Sequence, residues 1–308
     1  MARRSESNSR LDDAARAGWL YYVASRTQDE IAAIMGISRQ SAQRLISLSV
    51  AEKLIKVRLD HPIAACMELA QQLQERFGLK RVEIVPTDPG ADGLPIGVAE
   101  AGAAELERWL KQPDPLIIAM GTGRTLRAVV DQLPPMECPQ HKIVSLTGNI
   151  SPDGSAAYFN VIFSMADAVK APHFPMPLPV IVSSRAERDL MPRQPLMETA
   201  IELARHSDVT FIGIGEMALK GPLVLDGFLR PDEMEDICGW IFGADGKLLD
   251  HPVNQRVASL PIPDRSTSMV IGLARGVRKH AAIKAAVHGG HINGLITDED
   301  AARMLLAG

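Results

Sequence analysis

Four short turns in the second part of the chain carry groups able to hold a small molecule. The first is Gly121-Thr122-Gly123-Arg124-Thr125, set between the apolar run "LIIAM" and an amphipathic segment reaching residue 132. A strand entering a helix through a glycine-rich turn aims unpaired backbone N–H groups outward, which suits phosphate or hydroxyl oxygens. It is not a nucleotide P-loop, because no Gly-Lys-Ser/Thr follows, and it lacks the third glycine of a dinucleotide fingerprint. Alone, it reads equally as a tight connection. The other turns are Gly148–Asn149, Gly213–Glu216 and Gly276–Lys279, each closing an apolar run. Lys279 offers a point charge where a phosphate would lie; its plainer reading is a solvated helix lysine beside Arg278.

Other chemistry is excluded by spacing. His280, His288 and His291 have no HExxH pattern and no flanking carboxylate pair, so no metal is expected. Cys66, Cys138 and Cys238 are too scattered for a disulfide framework or a zinc site, which points to a reducing cytoplasm. No nucleophile elbow and no tight carboxylate pair is present, and no cofactor is implied.

A second kind of chemistry lies in the first sixty residues, which hold ten Lys or Arg against seven Asp or Glu, net +3, while the remainder nets −7. Thr27 stands three residues before Glu30, a capping box, and Ile31, Ile34 and Met35 give the following helix an inward stripe. Gly36 sits where a tight turn needs positive φ, Ile37 plugs the turn and Ser38 caps the next helix. Ala42, Leu45 and Ile46 then point inward, while Arg39, Gln40, Ser41, Gln43 and Arg44 form a polar face without acids. Arg suits guanine, Gln adenine and Ser either, so this spacing predicts a helix-turn-helix bound to double-stranded DNA. An amphipathic helix over 11–26, with Leu11, Ala14, Ala15, Gly18, Trp19, Tyr22 and Val23 on one face, precedes it. "EKLIKVRLDHP" (52–62) suits a short wing strand. A net of +3 is too small for affinity carried by phosphates alone, which argues against a nonspecific binder.

These sites need elements to position them. A chain of 308 residues predicts two domains: 1–60 as the DNA-binding head and 61–308 as the body that carries the small-molecule turns. The 46% apolar content is ordinary for a folded chain, and no apolar run is long enough to span a bilayer. In the body, Met67, Ala70, Leu73 and Phe77 mark a helix ending at Gly78. Strands are expected at 80–86, 116–120, 141–148 and 208–217, with 268–276 as the last of the core. Helices are expected over about 95–110 and 277–287. A hairpin is expected in 237–249, turning at Asp245 and Gly246, and "APHFPMPLP" (171–179) reads as a proline-rich loop. Apolar strands alternating with helices give an α/β fold with a mainly parallel sheet, whose ligands lie at the carboxyl ends of the strands.

The motifs "RTQDEIA", "GTGRTL", "DVTFIGIG", "DICGWIFGADG" and above all "HGGHINGLITDEDAARMLL" resemble those of SorC-family bacterial transcriptional regulators, also grouped with DeoR-type sugar sensors. The likeness runs from about Leu11 to Leu306. It implies a Rossmann-like effector domain of the NagB/RpiA/CoA-transferase type that binds a sugar, polyol or sugar phosphate without turning it over. It further implies a homotetramer acting on operator DNA of a carbohydrate or polyol operon. Family binding positions fall on Gly121, Thr122, Gly123, Arg124, Thr125, Asn149, Asn160, Asp236 and Lys279. The family's GGxxKxxAI pattern reads "RGVRKHAAI" here, with Arg275 for the first glycine, either adding an anion contact or blocking a larger ligand. The alternative is a sugar-phosphate isomerase or deaminase with an appended DNA-binding head. Asp236 or Glu216 would be its base, but no histidine stands in a partner position.

Overall fold

The structure, a computed structural model, describes residues 2–55, 64–87, 96–151, 153–215, 236–243 and 245–308, with residues 2–9, 64, 236 and 237 described through their backbone alone. The chain divides into two compact units, Met1–His61 and Pro62–Gly308. Most of the expected wing, the 60/61 boundary and Glu216 lie outside the described residues.

In the first unit, α1 (Ala2–Tyr22), α2 (Gln28–Met35) and α3 (Arg39–Ala51) bury Ala17, Leu20, Ile31, Ala42 and Ile46 against one another. The first helix meets the third through small residues. A Cβ on Gly18 would lie 2.4 Å from Ser49 Oγ, so only glycine permits this approach. That contact turns the larger side chains out. Trp19, Tyr22 and Val23 are exposed rather than buried, and so is Ile34, because the two turns of α2 pack through Ile31.

The second unit is a seven-stranded parallel sheet in the order β1-β9-β8-β5-β2-β3-β4. Its strands are β1 (Arg81–Val85), β2 (Ile117–Met120), β3 (Lys142–Ile150), β4 (His173–Pro179), β5 (Val209–Gly213), β8 (Met269–Leu273) and β9 (Gly294–Asp298). Between β5 and β8 lies a small antiparallel hairpin, β6 (Asp236–Ile237) and β7 (Trp240–Ile241). Alternating strand residues feed two cores. One face carries α5 (Ile96–Leu110), α6 (Arg124–Asp131) and α7 (Val161–Val169). The other carries α4 (Ala64–Phe77), α9 (Pro195–Arg205), α10 (His280–His288) and α11 (Glu299–Ala307); α8 (Arg185–Leu190) precedes α9.

Several expectations are corrected here. The proline-rich segment is strand β4, paired parallel to β3 at the sheet edge, where missing N–H donors are tolerated. Residues 268–276 do not form the last strand, since β9 follows and inserts between β8 and β1. The helix after Gly276 starts as a single 3-10 turn, Val277–Lys279, before α10. Met67 is exposed, and α4 packs instead through Cys66 and Leu73. The hairpin turns at Cys238 and Gly239, both at positive φ (54° and 85°), as a two-residue connection matched to strand twist requires. The expected turn at Asp245 and Gly246 is also present, closed by an antiparallel bridge between Phe242 and Leu248 and by the Leu249 N–H to Ile241 O bond, so β6–β7 is an additional hairpin ahead of it.

Candidate functional site

Strands β2 and β5 are neighbours, yet the helices that follow β2 and β8 lie on opposite faces of the sheet. Such a switch opens a crevice at the carboxyl edge. Gly121 begins the turn there, its N–H donating to Phe211 O at 2.8 Å. Gly123 then adopts φ 117°, a conformation suited to glycine, and starts α6 with no side-chain cap, leaving the first-turn N–H groups available.

The cleft above this turn is lined by Gly121, Thr122, Ser145, Thr147, Gly148, Asn149, Ala157, Asn160, Val161 and Ile162. Two loops are thereby drawn together. The start of α6 forms one wall, and the end of β3 with the start of α7 forms the other. Asn160 has a left-handed backbone (φ 42°, ψ 42°) and makes no side-chain bond to the helix it begins. The backbone N–H of Ala157 donates to Asn149 O at 2.9 Å, fastening the intervening loop to the end of β3. The side-chain oxygens of both Asn149 and Asn160 are buried without a hydrogen-bond partner. Ser145 and Thr147 were not singled out from the sequence. Their signal is two hydroxyls alternating within the otherwise apolar "KIVSLTG", facing the α6/α7 side while Val144 and Leu146 enter the opposite core.

The remaining expected site residues are placed differently. Thr125 is buried in α6 and Arg124 is exposed one residue before it; neither lines the cleft. Lys279 donates from Nζ to Ile214 O at 2.9 Å, so it braces the turn after β5. Arg275 is held 3.7 Å from the buried carboxylate of Asp298, which also accepts the Gly276 N–H and caps α11 through the Ala301 N–H. Arg275 thus forms an ion pair with Asp298 at the end of β9. Asp236 lies on β6, and Cys238, two residues on, packs under the cradle. A Cβ on Gly121 would lie 3.1 Å from Cys238 Sγ. No group of three or more metal-ligating side chains gathers among the described residues.

In the first unit the candidate DNA-facing residues fall on one exposed surface. Thr27 accepts the Glu30 N–H at 3.3 Å while Glu30 accepts the Thr27 N–H at 2.8 Å, completing the capping box. The Thr27 backbone bond, aided by its hydroxyl and by Arg26, holds the Glu30 carboxyl below its ordinary range. Gly36 is left-handed (φ 66°) and ends α2. Ser38 caps α3, accepting the Ser41 N–H at 3.1 Å, with the two hydroxyls 2.9 Å apart. Arg39, Gln40, Gln43 and Arg44 are exposed, and Arg39 lies 3.5 Å from Asp29.

A parallel sheet covered on both faces, with a hydroxyl- and carboxamide-lined cleft at its carboxyl edge and a three-helix unit preceding it in sequence, is the architecture of a ligand-binding body joined to a helical head. Residues 61–307 match the family described as a putative sugar-binding domain. The chain belongs to this family, that of the SorC-type regulators. It is 31% identical over 303 residues to the erythritol catabolism regulatory protein EryD of Brucella abortus (strain 2308), covering 95% of this chain and 96% of the relative. It is 29% identical over 308 residues to the transcriptional regulator LsrR of Enterobacter sp. (strain 638), covering 95% and 92%. The full-length sorbitol operon regulator SorC from Klebsiella pneumoniae shares its fold with a TM-score of 0.70 at 23% identity, over 95% of this chain and 97% of that one.

Proposed function

We propose that the chain represses or activates a carbohydrate or polyol operon by binding double-stranded operator DNA through α3 and a small effector in the cleft. The observation that carries this reading is the joining, on one chain, of a capped helix pair with exposed Arg39, Gln40, Gln43 and Arg44 to a polar cleft at the sheet's carboxyl edge. In α3, Ser38 and Ser41 set the helix start and the four longer side chains reach base edges and phosphates. In the body, Gly121, Thr122, Asn149 and Asn160 contact the effector, while Gly123 and Thr125 shape the turn. Lys279 braces the neighbouring loop. Arg124, at the start of α6, and Asp236, on β6, complete the effector-binding set.

The effector is bound and not turned over; the relatives bear the names of regulators, and no paired acid and base lines the cleft among the described residues. The protein works in the cytoplasm as a homotetramer, a dimer of dimers, so that paired heads meet pseudo-palindromic half-sites. Footprinting on DNA upstream of the gene tests this. Protection of such a site, lost on Arg44→Ala with Gln43→Ala, supports the reading, whereas uniform protection without a preferred site opposes it.

A further inference from the structure

We propose that Asn149 and Asn160 select an uncharged, polyhydroxylated effector, their two buried carbonyl oxygens accepting hydrogen bonds from two of its hydroxyl groups. This rests on the cleft being the effector site and narrows the class of ligand it takes.

A buried acceptor without a donor is costly, so a pair of them at one wall marks where donors belong. The two oxygens come from different elements, one at the end of β3 and one at the start of α7, and the Ala157 N–H to Asn149 O bond holds those ends together. Around them stand the hydroxyls of Thr122, Ser145 and Thr147 and the uncapped starts of α6 and α7. A ligand hydroxyl donates to a carboxamide oxygen and accepts from a backbone N–H at the same time. A phosphate dianion only accepts, so even where it takes hydrogen bonds from the amide NH2 groups it leaves both buried asparagine oxygens without a donor. Two cations expected near the ligand bond to the protein, Lys279 to Ile214 O and Arg275 to Asp298, and Arg124 is not part of the described lining. The described lining is uncharged.

The test is calorimetric titration of the full chain with erythritol, ribitol and D-sorbitol, and with a phosphate monoester of each. At least one free polyol is expected to bind at least about tenfold more tightly than its own ester. Asn149→Leu and Asn160→Gly are each expected to weaken that polyol by about tenfold, the loss of one hydrogen bond. Asn160→Gly separates binding from folding, because glycine takes the left-handed backbone at φ 42° without strain and keeps the melting temperature. An ester that binds more tightly than its parent polyol overturns the proposal and leaves the sensor reading standing. Parent-like affinity in both variants also overturns it. Silence from all the polyols and esters overturns the sensor reading itself, and this proposal with it.

Discussion

The closest backbone approach at the cleft gives the sharpest mutational prediction. Strand β4 crosses β3 beside Gly148, and a Cβ there would lie 2.2 Å from Leu178 O and 2.6 Å from Pro179 C. Those atoms are backbone, so no rotamer change relieves the clash. The pairing of β3 with β4 is already irregular on both sides of Gly148. Reaching an ordinary contact distance requires the edge strand to retreat by roughly 1 Å, and overpacking of this kind costs about 1–3 kcal/mol. Gly148→Ala is therefore expected to lower stability by about 2 kcal/mol and to displace Asn149 from the cleft. Gly97→Ala is the matched control. It lies in α5, where the new methyl meets the Val85 side chain at 3.2 Å rather than backbone, and helix propensity improves by about 0.5–1 kcal/mol. Urea unfolding followed by tryptophan fluorescence in a Trp19→Phe background, which leaves Trp109 and Trp240 as reporters, reads both variants. A Gly148→Ala midpoint within about 0.5 kcal/mol of the parent, or equal effects of the two changes, would refute the reasoning.

Three further outcomes follow from other parts of the molecule. Ser38→Ala removes the α3 cap and is expected to cost about 1 kcal/mol, seen as faster amide exchange in the first turn of α3, while Ser38→Gly costs only a few tenths. Arg44→Ala is expected to weaken binding to all DNA sequences alike and to reduce the slope of log affinity against log salt by about one; a change confined to one base position would instead mark a base contact. The third concerns Glu105, whose burial pushes its carboxyl up but is outweighed by bonds from Arg108 and Trp109 and by the charge of Arg81, so that it titrates below its ordinary 4.5. A depressed folded value means stability present above pH 4.5 and lost as pH falls through that lowered value. Glu105→Gln is expected to cost about 1–2 kcal/mol at neutral pH, discounted because both guanidinium groups are partly exposed, and to flatten the acid limb of stability against pH. An unchanged acid limb would contradict the assignment.

The parts of this fold legible in the sequence are those fixed by local chemistry. Thr27 with Glu30, Gly36 and Ser38 set helix ends through contacts three or four residues apart, and the structure keeps each. The strands leading into Gly121, Gly213 and Gly276 were legible because apolar runs ending in glycine mark buried parallel strands, whereas β3 runs on through the expected Gly148–Asn149 turn to Ile150. Strand β4 was hidden because Pro175, Pro177 and Pro179 argue against a strand unless it is known to lie at the edge, which only tertiary order decides. Similarly, β9 was hidden inside "HGGHINGLITDED", whose polar residues serve neighbours distant in sequence. Asn293 binds Val270 N–H and the carbonyls of Arg265 and Ser268, and Gly289 packs against Gly246 so closely that a Cβ would lie 2.6 Å from its oxygen. In the cleft, the turn at Gly121 was visible, whereas Ser145 and Thr147 were not, because a hydroxyl inside an apolar strand reads as tolerated until α7 is seen to cover it. Arg275 and Lys279 attracted attention by charge, yet the structure engages Arg275 with Asp298 and Lys279 with Ile214 O.

The measurement closest to the central claim is the affinity of the full chain for its footprinted operator duplex, by fluorescence anisotropy, with and without the tightest-binding polyol at saturation. Coupling between the two sites of about 1–3 kcal/mol predicts a change in dissociation constant of roughly 5- to 150-fold, abolished when Asn149→Leu and Asn160→Gly are combined. An operator affinity that stays the same while calorimetry shows the cleft filled would contradict the account.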